Sequence, residues 1–185
     1  MTLNYTGERA IPWNGAVGVN VMTHHIKRYA WATSYAWQKS VADLGCGVGY
    51  GSYMLSWVSR SVIGCDIDHR AIAYANDTFR AGNLRYETLD ISEGVPRVQV
   101  YTAFEVIEHL DDPLPILTMI DEVGGMLVWS IPISSDTIWH RQVYTEGDIV
   151  SLMDGSTFYY QGAGGEIVLA EAAQFSPVYI LGVRE

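Results

Sequence analysis

Residues 105–110 read Glu-Val-Ile-Glu-His-Leu and place two carboxylates and an imidazole within five positions. On a helical turn, positions 105, 108 and 109 share one face. Carboxylates and an imidazole converging there suit metal ligation or acid–base chemistry. A second stretch, residues 41–52, reads Val-Ala-Asp-Leu-Gly-Cys-Gly-Val-Gly-Tyr-Gly-Ser. A short apolar run ends in Asp43, glycines follow at 45, 47, 49 and 51, and a helical pattern comes next. Gly45 and Gly47 lack a Cβ, so a ligand can lie against the backbone there. The helix beyond the turn offers unpaired N–H groups. A dinucleotide fold shows G-x-G-x-x-G, whereas the spacing here is G-x-G-x-G. A carboxylate two residues before the first glycine would repel a pyrophosphate; Asp43 suits a ligand that carries an ammonium group.

These groups need a frame to hold them. Residues 20–38 carry Val21, Ile26, Tyr29, Ala30, Thr33 and Trp37 at near-helical spacing. Strands are expected at 40–44, 62–65, 84–89, 98–104, 126–131, 158–161 and 177–183, with 166–169 strand-like as well. Helices fall between them, at 50–59 and at 69–80, the latter capped by Asp68 and stopped by Gly82. Asp112 and Pro113 open a further helix that Gly124 and Gly125 close. Thr145 and Asp148 have capping-box spacing before residues 149–153. Strands alternating with helices imply a parallel sheet covered on both faces. The last two strands lack a helix between them and should be antiparallel. The expectation is an α/β fold, with a Rossmann-like, seven-stranded, mostly parallel sheet that has one antiparallel strand. Residues 1–185 are expected to form a single domain, with 1–18 as an N-terminal arm.

In such a sheet, ligands bind at the carboxyl ends of the strands. Asp66 ends the second strand, 19 residues beyond Gly47, where an acid hydrogen-bonds ribose hydroxyls. The stretch 41–52 resembles motif I of the class I S-adenosylmethionine (SAM) dependent methyltransferases. The resemblance covers about residues 20–185. It implies that Asp43, Gly45, Cys46 and Gly47 cradle SAM, whose methionine part carries an ammonium group. It implies further that Asp66 and Ile67 hold the ribose side, that Asp90 and Ile91 meet the adenine, and that Phe104 lies beside the methionine part. Gly7-Glu8-Arg9 followed by His25-Ile26-Lys27-Arg28-Tyr29 resembles a subgroup of small bacterial and phage methyltransferases. In that subgroup a Gly-Glu-Arg arm precedes a His-x-x-Arg-Tyr helix. Arg28 is expected to face the SAM carboxylate or to prop the glycine loop.

The E-x-x-E-H of residues 105–109 is similar to two branches of the family, the ubiquinone-type O-methyltransferases and the small-RNA 3′-end 2′-O-methyltransferases. In the RNA branch these three residues and a later histidine bind a divalent metal, and His140 matches the place of that histidine. The resemblance therefore implies a metal set of Glu105, Glu108, His109 and His140. Such a donor set suits Mn, Fe, Co or Zn better than Mg. Without a metal, His109 or His140 serves as general base, with Glu105 beside it. Substrate contacts are expected from the arm and from residues 133–144, with Trp13, Trp139 and Tyr144 as walls of a rather open site.

Composition narrows the classes. Eleven basic against 21 acidic residues, a formal charge of −10, weigh against non-specific nucleic-acid binding. Two cysteines, Cys46 and Cys65, are too few for a disulfide scaffold and read as reduced packing residues. The polar N-terminus is no signal peptide, and no apolar run approaches a membrane span. These features set the expectation of a soluble, cytoplasmic protein. The resulting reading is a SAM-dependent O-methyltransferase that acts on a hydroxyl of a small molecule or saccharide and releases S-adenosylhomocysteine. The alternatives are 2′-O-methylation of an RNA end and a non-catalytic SAM-binding subunit. The oligomeric state is open.

Overall fold

The computed structural model describes residues 10–12, 18–135 and 137–185. The Gly7-Glu8-Arg9 arm and Trp13 lie outside the described residues. The chain begins its regular structure with α1 (Val19–Ala36) and β1 (Ser40–Leu44). There follow α2 (Tyr50–Ser56), β2 (Ser61–Asp66), α3 (His69–Thr78), β3 (Leu84–Thr88) and β4 (Val100–Phe104). A 3₁₀ turn, Ile107–His109, leads to α4 (Leu114–Glu122), β5 (Met126–Pro132) and α5 (Glu146–Leu152). The chain then forms β6 (Thr157–Gln161), β7 (Ile167–Leu169) and β8 (Tyr179–Arg184).

The sheet has eight strands in the order β3-β2-β1-β4-β5-β8-β6-β7. From β3 to β5 every pairing is parallel, and β8 is antiparallel to both β5 and β6. The expected seven strands become eight, and the one antiparallel strand becomes two. The addition is β7, a three-residue edge strand antiparallel to β6. Its brevity leaves too few alternations for a firm period-2 signal.

Alternate residues of the central strands face opposite layers. Val41, Val62, Val100 and Val128 pack with Tyr29, Ala32 and Ala36 of α1 and Leu55 of α2. Ala42, Ile63, Tyr101, Leu127 and Trp129 pack with Ile116, Leu117 and Ile120 of α4 and with Ile149 and Met153. Both faces are covered, so β1 and β4 read as near-continuous apolar runs, as parallel strands do. Two of the capping signals act as expected, while α3 ends at Thr78, before Gly82, and α4 takes Pro113 as its N-cap. Asp68 accepts from Arg70 N, and Thr145 and Asp148 form a reciprocal capping box. No helix among the described residues is long and apolar enough to cross a membrane.

Strand order turns back at β1. Chain order runs from β1 outward through β2 and β3, then returns to β4 on the other side. A crevice opens where the direction reverses. The glycine loop leaves the end of β1 and the Glu-x-x-Glu-His segment leaves the end of β4, so the topology brings the two motifs to one place.

Candidate active site

A cavity of about 320 Å³ lies at this switch point. Gly45, Cys46, Gly47, Tyr50, Phe104, Glu105, His109 and His140 line it, along with His25, Trp139 and Tyr179. The glycine turn is tight because Gly45, Gly47 and Gly49 all have positive φ, at 65°, 54° and 88°. Their surroundings differ. A Cβ on Gly45 would stand 2.6 Å from Val106 Cγ2, while one on Gly47 would meet nothing within 4 Å. Gly47 therefore presents bare backbone to open space, the cradle that a ligand lying along the loop requires.

Asp43 stands behind the loop and off the cavity wall. It has no exposed surface. Its Oδ1 accepts from Thr102 Oγ1 at 2.6 Å, its Oδ2 accepts from Ser52 Oγ at 2.6 Å, and the Tyr29 hydroxyl lies 3.2 and 3.3 Å from the two oxygens. Burial pushes Asp43 up to about 6, against the pull of these hydroxyls. The expected direct contact with an ammonium is corrected: three hydroxyls enclose the carboxylate, which ties β1, α1, α2 and β4 together beneath the loop. Asp66 takes the Gly47 N–H at 2.8 Å and the Asp68 N–H at 2.9 Å, so the end of β2 holds the loop from the side. Beyond it Ile67 is exposed. Asp90 accepts from Ser92 through N and Oγ, which lowers its carboxyl, and Ile91 is buried in the core. Phe104 lies edge-on to Tyr29, with ring centroids 5.0 Å apart.

Arg28 is another correction. It is fully buried and absent from the cavity wall. Its Nη1 donates to Gln161 Oε1 at 2.9 Å, its Nη2 donates to Glu105 Oε1, and its guanidinium lies 4.3 Å from the Tyr179 ring centroid. It props Glu105 rather than the loop. A helical pattern cannot reveal this, because the partners lie 77 and 133 residues away in sequence.

Glu105 also departs from expectation. Helical geometry begins only at Ile107, and Glu105 has φ +55°, a left-handed backbone rare for a non-glycine. The i, i+3, i+4 relation therefore does not extend to it. Its carboxylate turns to Arg28 and to His25, whose Nε2 is 3.0 Å from Oε1. Burial alone would raise this carboxyl, but Arg28 and His25 overcome that and hold it well below the usual carboxylate range. Glu105 thus drops out of the expected four-residue metal set.

The other three members do converge. Ligand atoms of Glu108, His109 and His140 all lie within 4.8 Å of one another. His140 is carried there by the segment after β5: Arg141 N and Gln142 N donate to Glu108 O at 2.8 and 3.0 Å. His109 Nδ1 is 3.0 Å from Trp139 O, and His140 Nδ1 is 2.7 Å from Ser135 O. A carbonyl only accepts, so Nδ1 carries the proton in each ring and Nε2 carries the lone pair of the neutral form. This is how metal-binding imidazoles are oriented. Glu108 is 1 % exposed, and neither carboxylate oxygen has a hydrogen-bond partner among the described residues. Burial, then the charge of Glu105, pushes its carboxyl well above the ordinary value. An orphaned buried carboxylate beside two anchored imidazoles fits a divalent cation.

Of the expected walls, Trp139 lines the cavity and Tyr144 packs against the core instead. His25, Gln161 and Tyr179 emerge only in three dimensions. The His-x-x-Arg-Tyr signature was the single sequence signal for any of them.

Fold, glycine cradle and motif order resemble those of the class I SAM-dependent methyltransferases, and the sequence comparisons support a place in that family. Residues 41–126 match the family model described as "Methyltransferase domain". A protein of Mycolicibacterium smegmatis named as a probable S-adenosylmethionine-dependent methyltransferase is 31 % identical over 134 residues, 70 % of this chain and 52 % of that protein. A Mycobacterium tuberculosis protein named in the same way is 29 % identical over 134 residues, covering 48 % of its length. The chain spans about half the length of the curated relatives it matches. Among solved structures, the N-methyltransferase NodS of Bradyrhizobium japonicum with S-adenosylhomocysteine superposes with a TM-score of 0.66 at 19 % identity, over 95 % of this chain and 91 % of that one. The magnesium protoporphyrin IX methyltransferase of Synechocystis with S-adenosylhomocysteine gives 0.66 at 17 % identity, over 93 % and 90 %. At these identities the likeness speaks to the fold.

Proposed function

We propose that the chain transfers the methyl group of SAM to a hydroxyl of a small molecule or saccharide. The observation that carries this reading is the junction of two features at one cavity: the bare backbone at Gly47 and the imidazoles of His109 and His140, which line it with the buried Glu108 beside them. SAM supplies a methyl group already activated on a sulfonium. The chain's part is alignment, which is worth about 7–11 kcal/mol in well-oriented reactions. Gly45, Cys46 and Gly47 bed the ligand against backbone. Asp66 takes the ribose hydroxyls with the lone pairs that Gly47 and Asp68 leave open. Ile67 and Asp90 form the adenine side, with Ile91 held in the core, and Phe104 flanks the methionine part.

On the acceptor side, Glu108, His109 and His140 would hold a divalent ion, which lowers the pKa of a bound hydroxyl. One carboxylate and two imidazoles suit Mn, Fe, Co or Zn. In the absence of a metal, Nε2 of His140 or His109 takes the hydroxyl proton.

The test is an S-adenosylhomocysteine release assay with hydroxyl, amine and 3′-diol oligonucleotide acceptors, run with manganese and with EDTA. Hydroxyl acceptors should turn over, and His140→Ala should slow them by about a hundredfold. Methylation confined to amines would overturn O-transfer. Methylation of oligonucleotides alone would move the reading to an RNA end.

A further inference from the structure

The methionine part of SAM brings an ammonium group, and the Asp43 that the sequence offers to it is sealed behind the loop by three hydroxyls. Among the described residues lining the cavity, Glu105 is the one carboxylate. Its side chain is 21 % exposed. Oε1 is doubly occupied, by Arg28 Nη2 and by His25 Nε2, while no hydrogen bond reaches Oε2 among the described residues. Arg28 and His25 therefore hold the carboxylate through Oε1, and Oε2 is the edge left for a donor in the cavity. Arg28 is fully buried on the far side, packed on Tyr179, and further braced by Gln161.

The backbone reinforces this aim. Glu105 holds a left-handed φ of +55° immediately after β4. A non-glycine residue in that region stores strain, and such strain persists where it places a functional group. Val106, the next residue, packs against Gly45, so the Glu105 carboxylate and the glycine cradle are locked as neighbours.

We propose that the open edge of Glu105 is the docking point for the α-ammonium of the cofactor's methionine part, with Gln161, Arg28 and His25 as the residues that position it. This rests on the reading of the chain as a SAM-binding enzyme. It replaces the role of Asp43 by a residue on the other side of the crevice, and it assigns Glu105 to cofactor rather than metal. No proton or bond changes hands; the step is a charge-assisted hydrogen bond.

Calorimetric titration with three probes tests it: S-adenosylhomocysteine, its analogue lacking the amino group, and 5′-methylthioadenosine, which lacks the whole amino-acid part. The wild type should bind S-adenosylhomocysteine at least about tenfold more tightly than the deamino analogue. In Glu105→Gln that preference should vanish, while methylthioadenosine affinity stays within about threefold. Retention of the tenfold preference in Glu105→Gln, or no preference in the wild type, overturns the proposal. Removing one charge leaves Arg28 buried without its partner, which can cost the fold. If methylthioadenosine binding falls in parallel in Glu105→Gln, the neutral pair Arg28→Gln/Glu105→Gln decides. An amine preference that survives there overturns the proposal, and its loss with methylthioadenosine binding intact supports it. A folded wild type that binds none of the three probes removes the cofactor reading itself, and this inference with it.

Discussion

Asp43 and Glu108 are both buried carboxylates beside one crevice, and they are supplied with partners in opposite measure. Asp43 receives hydroxyls from three separate elements, and its neighbours pack tightly around it. Glu108 receives none among the described residues, although ligand atoms of two anchored imidazoles stand within 4.8 Å. A buried acceptor without a donor costs about 1–3 kcal/mol. The cost at Asp43 is met inside the chain; the cost at Glu108 is one that a cation would relieve. The glycine side is built as a finished scaffold, and on the proposed function the histidine side would be a receptor that a cation completes.

The largest test of that contrast uses two glycines four residues apart. A Cβ on Gly51 would lie 1.9 Å from Tyr29 Cζ, inside the ring cluster that reaches Asp43, whereas a Cβ on Gly47 would meet nothing within 4 Å. Gly51→Ala should destabilise by at least about 3 kcal/mol, because the Tyr29 ring must move and its hydrogen bond to Asp43 goes with it. Gly47→Ala should cost about 1–2 kcal/mol for its left-handed backbone. It should nevertheless weaken S-adenosylhomocysteine binding by at least about tenfold, since the methyl group fills the cradle. Urea midpoints and calorimetry check both. Equal stability losses in the two variants would break the picture of a closed scaffold under an open surface.

A smaller effect follows from the charge state of Asp43. Its carboxyl moves from an ordinary value of 3.8 to about 6 in the folded chain. Between those values the folded state binds more protons than the unfolded one. Stability therefore falls as pH rises from about 4 to about 6, then levels, and the whole shift corresponds to about 3 kcal/mol. Glu108, also raised, slopes in the same direction. Glu105 is lowered, so its contribution is present above the usual carboxylate range and is lost only as pH falls below about 4. Asp43→Asn removes the first contribution alone. The gap in urea midpoint between wild type and Asp43→Asn should change across pH 4 to 6. A constant gap would mean that Asp43 titrates normally and that the hydroxyls fully compensate for burial.

Much of this arrangement was legible in the sequence. The alternation of strands and helices, the glycine turn and the Thr145/Asp148 capping box all depend on neighbours close in sequence or on the periods of regular elements. What escaped depends on contacts across the fold. Arg28 read as a contact for the SAM carboxylate or a prop for the glycine loop because its actual partners, Glu105 and Gln161, lie far along the chain. Glu105 looked like one face of a helical turn because spacing alone does not disclose that the backbone turns left-handed before the 3₁₀ turn begins. Asp43 looked like a ligand contact because the hydroxyls that enclose it lie on three other elements. In each case the residue type was right for a functional position and the direction of its side chain was set elsewhere.

The smallest expected effect sharpens the other half of the contrast. If the Glu108 cluster is a receptor for a cation, manganese or zinc at ten times its dissociation constant should stabilise the folded chain by about 1.4 kcal/mol, with EDTA-treated protein as the reference. The protein should respond less to magnesium, since two of the three ligands are imidazole nitrogens. Glu108→Gln should abolish the shift and, by removing a buried carboxyl that lacks a donor, leave the metal-free protein no less stable than wild type near neutral pH. Glu105→Gln should keep a metal-induced shift, because Glu105 is committed to Arg28 and His25. A shift that survives Glu108→Gln but disappears in Glu105→Gln would restore Glu105 to the metal set and reverse the assignment of the two glutamates.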